Sequence, residues 1–409
     1  MTPRTAVAVT GLGLVTPGGE GVDATWDAVC AAEGTAAPDP ALAGLPVDFS
    51  GRVPLTEDEL DRRVGRRSWR MGRSAKLAVV AAREAVHDAG LRPADWDGAR
   101  VATILGCGMG CVDKWEEQGR RLEERGPEFV SPLAIPLVLP NLGTGEVSID
   151  LGARGIGLAP ATACASGATS LALARDLLAA GLCDVAVAGG VEAGVSRLST
   201  TGFWRMGALS ERGTDPARAS RPFAADRDGF VVAEGAGVLV LERTADAAAR
   251  GRPPRALLAG CGSTSDAHHP TAPSPDGRAA EAALRTALAE AGLDPLDVDH
   301  VNAHGTSTPL NDATEAALIA RVLPHRPSVT AAKGVLGHSL GAAGGIEAAL
   351  TVLTLQHRRV PPIANLEAPA PGFDLDCVVK APRDQEVRAA VSHSFGFGGH
   401  NVVLALTRP

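Results

Sequence analysis

Tyrosine is absent from the 409 residues, and aromatic residues make up only 3% of them. A core for a chain this long must therefore rest on alanine, valine and leucine. The 48 glycines point to close backbone packing and many tight turns. Positive charge does not dominate either. Lys and Arg number 39 against 47 Asp and Glu, a net charge of −8, so no basic field of the kind that holds nucleic acid is present. No apolar run approaches the roughly 20 residues that span a bilayer. The opening stretch Ala6–Gly11 is too short and too glycine-punctuated for a secretory leader. Cysteines number seven, an odd count scattered over positions 30, 107, 111, 164, 183, 261 and 377. Only Cys107 and Cys111 lie close together, without a second ligand pair, which argues against a zinc site. The expected compartment is the reducing cytoplasm.

What is present is alternation. The chain exceeds one ordinary domain, which predicts two core units or one fused one. Ala6–Thr10 reads as a first strand ending in Gly11-Leu12-Gly13, an incomplete dinucleotide fingerprint and a weak signal. Helices are expected at 26–32 and 74–89, strands at 100–105 and 184–189, and a loop-rich stretch over 201–230. The run from Arg255 to Ser263 echoes the opening strand, and strand–helix alternation resumes after it. These features predict a duplicated α/β unit, with residues 1–250 in one half and 251–409 in the other.

Cys164 lies between Ile156–Pro160, read as a short buried strand, and the Ala- and Leu-rich run Gly167–Ala180, read as a buried helix. Free N–H groups and the positive end of the helix dipole at such a junction favour a thiolate. Small neighbours leave room for a sharp turn, the logic of a nucleophile elbow. Taken alone, a buried cysteine is more often structural. The second half adds polar groups at strand ends, where open α/β folds place their sites. These are His304 after Val301-Asn302-Ala303, Lys333 after Val329–Ala332, His338, and the glycine-dense turn Ser392–Asn401. Arg62, Arg63, Arg66, Arg67, Arg70 and Arg73 crowd one stretch. On a helix, positions 63, 66, 67 and 70 share a face, ordinarily a solvated one. In a chain of net negative charge the patch also suits an acidic partner.

Five stretches occur in one order along the chain: Thr162–Gly167, Asp226–Phe230, Asn302–Thr308, Lys333–His338 and Ser394–Gly399. With them the chain resembles the elongating β-ketoacyl-acyl carrier protein synthases of discrete-protein (type II) systems, condensing enzymes of the thiolase superfamily. The resemblance implies an α/β, thiolase-like fold whose duplicated halves form a five-layer α-β-α-β-α core. It implies that Cys164 accepts an acyl group from a carrier-protein phosphopantetheine thioester, with the backbone N–H groups of Cys164 and Phe397 as the oxyanion hole. His304 and His338 would donate hydrogen bonds to the enolate left when a malonyl thioester decarboxylates. Lys333 would hold the histidine geometry through an ion pair with Glu315 or Glu347.

The resemblance further implies that Thr306 and Thr308 bind the pantetheine arm, that Phe397 gates the acyl pocket and that Met109 sits at its floor. Arg63, Arg66 and Arg67 would dock the acidic acyl carrier protein. No metal or redox cofactor is required, although in some relatives the positions of Asn302, Glu315, Glu347, Ser392 and Asn401 hold a structural cation. The expected assembly is a homodimer, or a heterodimer with a chain-length-factor homologue. The chain departs from the pattern at His393 and His400, where many relatives have Asn and Thr, and at Leu336, where a hydroxyl is common. A non-catalytic chain-length factor would lack the cysteine. A degradative thiolase would need a second cysteine within 392–401, and an initiating synthase would have Asn in place of one histidine.

Overall fold

The structure is a computed structural model that describes residues 6–409. The strands along its main sheet are β1 (Val7–Thr16), β2 (Val101–Gly106), β3 (Gly157–Leu158), β4 (Val185–Glu192), β5 (Gly235–Arg243), β6 (Ala256–Ser265), β7 (His300–Asn302), β8 (Ser328–Thr330), β9 (Asp376–Cys377), β10 (Ala389–Gly396) and β11 (His400–Thr407). They join in the order β9-β8-β7-β10-β11-β6-β1-β5-β4-β2-β3, with Gly19–Glu20 paired beside β1. The joint between the halves is antiparallel, Val7–Val9 of β1 against Ala256–Leu258 of β6. The sheet thus runs unbroken across the boundary expected near residue 250.

Six helices position the site: α1 (Arg73–Asp88), α2 (Leu142–Leu151), α3 (Ser166–Ala179), α4 (Arg278–Ala291), α5 (Pro309–Val322) and α6 (Ala343–His357). Helices α1 and α2 cover the outer face of the β1–β5–β4–β2 half. Helices α3 and α6 pack together between the two halves, and α4 lies outside β6 and β11. Helix α5 shares a buried cluster with α4 and with Val301, Val329 and Val391 of the second half. These are five layers, α-β-α-β-α. Every residue from Pro327 to Leu355 is buried, which takes in Lys333, His338 and Glu347. Aromatic scarcity is met by close approach. A Cβ on Gly13 would stand 1.9 Å from Ala81 O of α1, so this glycine lets a helix backbone rest on β1. The Gly11-Leu12-Gly13 stretch lies inside a strand and forms no phosphate-binding turn.

Four expectations are corrected. The basic stretch is not one helix. The helix Glu57–Val64 stops at Gly65, whose φ of 86° favours glycine, and Arg66 and Arg67 follow in a turn. The stretch before Cys164 holds only the two-residue β3, exposed at the end of the sheet. The region 201–230 begins inside a helix, Arg197–Arg205, with Ser196 as its N-cap. Helix α5 escaped the sequence reading altogether. Its Pro309 at the first helical position is a start signal, but its mixed pattern Asn311-Asp312-Ala313-Thr314-Glu315 hides the apolar period.

Candidate active site

Cys164 sits in a short turn, Ala163–Ala165, that runs straight into α3. Ala163 just before it has φ of 49°, a left-handed conformation uncommon for a residue with a side chain. Ser166 Oγ braces the bend by donating to Ala163 O at 2.7 Å and accepting from Thr162 N at 2.9 Å. The glycine-dense turn closes over this elbow. A Cβ on Gly396 would come within 2.5 Å of Thr162 O, so only glycine lets the turn approach. The N–H groups of Phe397 and of Cys164 itself both bear on the sulfur. The expected thiolate is nevertheless not the resting state. Burial pushes the Cys164 thiol up to about 11, and the Lys333 charge and the two N–H groups offset this only in part.

His304, His338 and Cys164 line one cavity of about 310 Å³, together with Thr306, Thr308 and Phe397. The two imidazole rings lie edge to face, 5.4 Å between centroids. Their proton positions follow from their neighbours. Lys333 Nζ, which can only donate, lies 3.3 Å from His304 Nδ1 and 2.7 Å from His304 O. Leu340 N donates to His338 Nδ1 at 3.3 Å. Each Nδ1 is thus an acceptor, and each neutral ring carries its proton on Nε2. Burial, then the Lys333 charge, holds both rings well below the usual histidine range, so both are neutral at pH 7. His338 Nε2 is buried and has no hydrogen-bond partner in the protein, a donor left for something else.

Lys333 forms its ion pair with Glu347, both side chains 2% exposed, rather than with Glu315. Glu315 instead accepts from His304 N and Gly305 N, each at 2.8 Å. Thr306 and Thr308 share a hydroxyl hydrogen bond of 2.9 Å at the cavity wall. The arrangement is a buried nucleophile facing two N–H groups, with two neutral imidazole donors opposite.

The N-terminal domain of the β-ketoacyl synthases matches residues 4–247, and their C-terminal domain matches residues 255–367. The chain belongs to the β-ketoacyl synthase family. A 3-oxoacyl-[acyl-carrier-protein] synthase 2 of Synechocystis is 40% identical, with 98% of each chain covered. One from Staphylococcus aureus is 39% identical over 100% of this chain and 99% of its own length. Among solved structures, a β-ketoacyl synthase from Burkholderia phymatum superposes with a TM-score of 0.92 at 31% identity, over 99% of this chain and 100% of its own. A type II polyketide ketosynthase, solved with its acyl-carrier protein, reaches 0.91 at 30% identity over 100% of both chains. The fold is the thiolase-like fold of these ketosynthases.

In this β-ketoacyl synthase not every expected residue joins the cavity. Met109 does not line it, and its Cε lies in the space beside Gly194. Arg63 pairs with Glu20 and Arg67 with Asp150, each at 2.5 Å, while Arg66 stays exposed. The five candidate cation ligands separate into two groups. Asn302 Oδ1, Glu347 Oε2 and Ser392 Oγ are buried oxygens with no hydrogen-bond partner. Glu315 is engaged as above, and Asn401 Nδ2 donates to Asp266 at 2.7 Å. The sequence reading also missed residues. Phe230 lies edge-on to His338 at 5.1 Å and Phe395 edge-on to His304 at 5.9 Å, restraining both rings. Glu192, fully buried, accepts from Gly108 N at 2.8 Å, Gly110 N at 2.9 Å and Gly341 N at 3.2 Å. It ties the loop of Met109 to the segment after His338. A carboxylate ending the apolar strand β4, two residues after its glycine pair, was the available signal.

Proposed function

We propose that this chain is the elongating ketosynthase of a type II system, working on acyl and malonyl thioesters of an acyl carrier protein. The sulfur of Cys164 attacks the acyl thioester, and the carrier sulfur leaves and takes up the proton that Cys164 gave up, so that a free carrier thiol departs. The N–H groups of Cys164 and Phe397 stabilise the oxyanion. Malonyl-carrier protein then loses CO₂. The Nε2–H groups of His304 and His338 hydrogen-bond the thioester oxygen as the enolate forms. The enolate carbon attacks the acyl-Cys164 carbonyl, and collapse expels the sulfur and leaves β-ketoacyl-carrier protein. The pantetheine arm supplies no electrons. It delivers the thioester past Thr306 and Thr308.

The observation that carries this reading is the pair of neutral rings whose Nδ1 atoms are both occupied as acceptors. A donor pair of that kind suits an enolate and is a poor general base. Lys333, held by Glu347, fixes the His304 tautomer. Asn302, Glu347 and Ser392 would hold a cation or a water by their free oxygens. The partner is the acidic carrier protein, met by Arg66. The seven cysteines, all unpaired, suit a reducing cytoplasm. The reading serves fatty-acid or polyketide elongation, as a homodimer or beside a chain-length-factor homologue.

The test is to incubate the purified chain with acyl- and malonyl-carrier proteins and weigh the products. Condensed β-ketoacyl product is expected from the parent. Cys164→Ala should lose acyl transfer and condensation while malonyl decarboxylation persists. Condensation by Cys164→Ala would end the proposal.

A further inference from the structure

A third histidine lies behind the site. We infer that His393 is a positioning residue for His304, acting through Glu315. The inference rests on the ketosynthase reading above. His393 and Glu315 are both fully buried, and His393 Nδ1 lies 3.0 Å from Glu315 Oε1. A carboxylate only accepts, so Nδ1 donates. The same Oε1 takes the N–H of His304 and Oε2 takes that of Gly305. One carboxylate therefore bridges His393 to the backbone that carries the enolate donor. Gly305 has φ of 41°, and a Cβ there would meet Ala331 Cβ at 2.6 Å, so this backbone has little freedom to settle elsewhere.

The other charges near Glu315 are already committed. Lys333 pairs with Glu347, and Arg227 lies 3.5 Å from Asp312, one turn earlier on α5. Asn311 Nδ2 donates a long hydrogen bond of 3.4 Å to Glu315 Oε2 and carries no charge. Among the described residues, His393 is the ionisable side chain that hydrogen-bonds this carboxylate. A second path runs through packing. The His393 ring lies 5.4 Å from Phe395, tilted by 36°, and Phe395 is the ring set edge-on to His304. His393 does not line the cavity and has its proton on Nδ1, the reverse of His304 and His338. It does not touch substrate. Removing its N–H leaves a buried carboxylate short of a donor, loosens the grip on His304 N and moves His304 Nε2 off the enolate oxygen.

The experiment separates the two half-reactions in the full-length enzyme. Acyl transfer to Cys164 is followed by intact-protein mass, and malonyl-carrier protein decarboxylation by loss of CO₂. His393→Ala should slow decarboxylation at least about ten-fold and leave acyl transfer within about two-fold, because only the former uses His304. His393→Asn, whose Nδ2 stands where Nδ1 stood, should recover most of the lost rate. Equal decarboxylation in parent and His393→Ala would overturn the inference. So would a parallel fall of both half-reactions in the alanine and asparagine variants, which marks a merely structural residue. Absence of decarboxylation in the parent itself would instead overturn the ketosynthase reading and, with it, this role.

Discussion

At the scale of single residues, burial and charge pull Cys164 in opposite directions, and burial wins. The elbow brings N–H groups to the sulfur, as its place before a helix suggested, but a site closed by layers on both sides withholds the water a thiolate needs. Two outcomes follow. Because the thiol is held near 11, its alkylation by iodoacetamide should climb about ten-fold per pH unit from 7 to 10, read as the mass of the Cys164 peptide. The sign is set by ionisation, since only the thiolate reacts and its fraction rises until the pKa is passed. Lys333→Met removes the main favourable charge, so alkylation of that variant should be slower than in the parent at every pH in this range. A faster reaction would show that Lys333 does not bear on the sulfur. His304 and Lys333 were legible as residues because each follows a strand, and His338 because it lies in the glycine-rich stretch after Lys333. Their protonation was not, since it depends on Leu340 N and Lys333 Nζ, which meet the rings only through the fold.

At the scale of elements, the strands were read more surely than the helices. The buried strands carry unbroken apolar runs such as Val185–Ala188 and Val238–Leu241, whereas α5 combines a buried apolar face with buried carboxylates from Asp312 and Glu315. A helix that buries acids for the site breaks the period by which helices are recognised. The middle layer poses a similar problem. Arg175 of α3 is completely buried and forms an ion pair of 2.6 Å with Glu290 of α4, crossing from the central to the outer layer past the strand that carries Ala259. Glu290→Ala takes from a fully buried guanidinium the carboxylate that lies 2.6 Å away and should cost about 3–5 kcal/mol in urea unfolding. The pair Arg175→Met with Glu290→Leu should return close to parental stability, because the desolvation of both charges disappears with them. If the double variant were as unstable as the single one, the link would owe its worth to geometry that apolar side chains cannot replace.

At the scale of the whole molecule, a chain of net charge −8 must still attract an acidic carrier protein, so a local positive surface matters more than the total. The arginine run looked uniform in sequence, but the helix stop at Gly65 sorts it. Arg63 is held by Glu20 and Arg67 by Asp150, which Arg83 also clasps at 2.7 Å, whereas Arg66 is exposed beside Trp69 at 71% exposure. Arginines already paired within the fold contribute to its stability, whereas Arg66, like Arg62, is exposed with no ion pair among the described residues and is available to a partner. Arg66→Glu should therefore raise KM for the carrier protein about five-fold or more at low salt and flatten its dependence on ionic strength, with kcat and the unfolding midpoint unchanged. Arg67→Ala should do the reverse and lower the unfolding midpoint with little change in KM, because Asp150 loses a donor. Steady-state rates at 25 and 250 mM salt, roughly 20 and 6 Å of Debye screening, resolve the two patterns. Equal rises in KM for both variants would mean that carrier-protein binding breaks the Arg67–Asp150 pair and recruits the whole run.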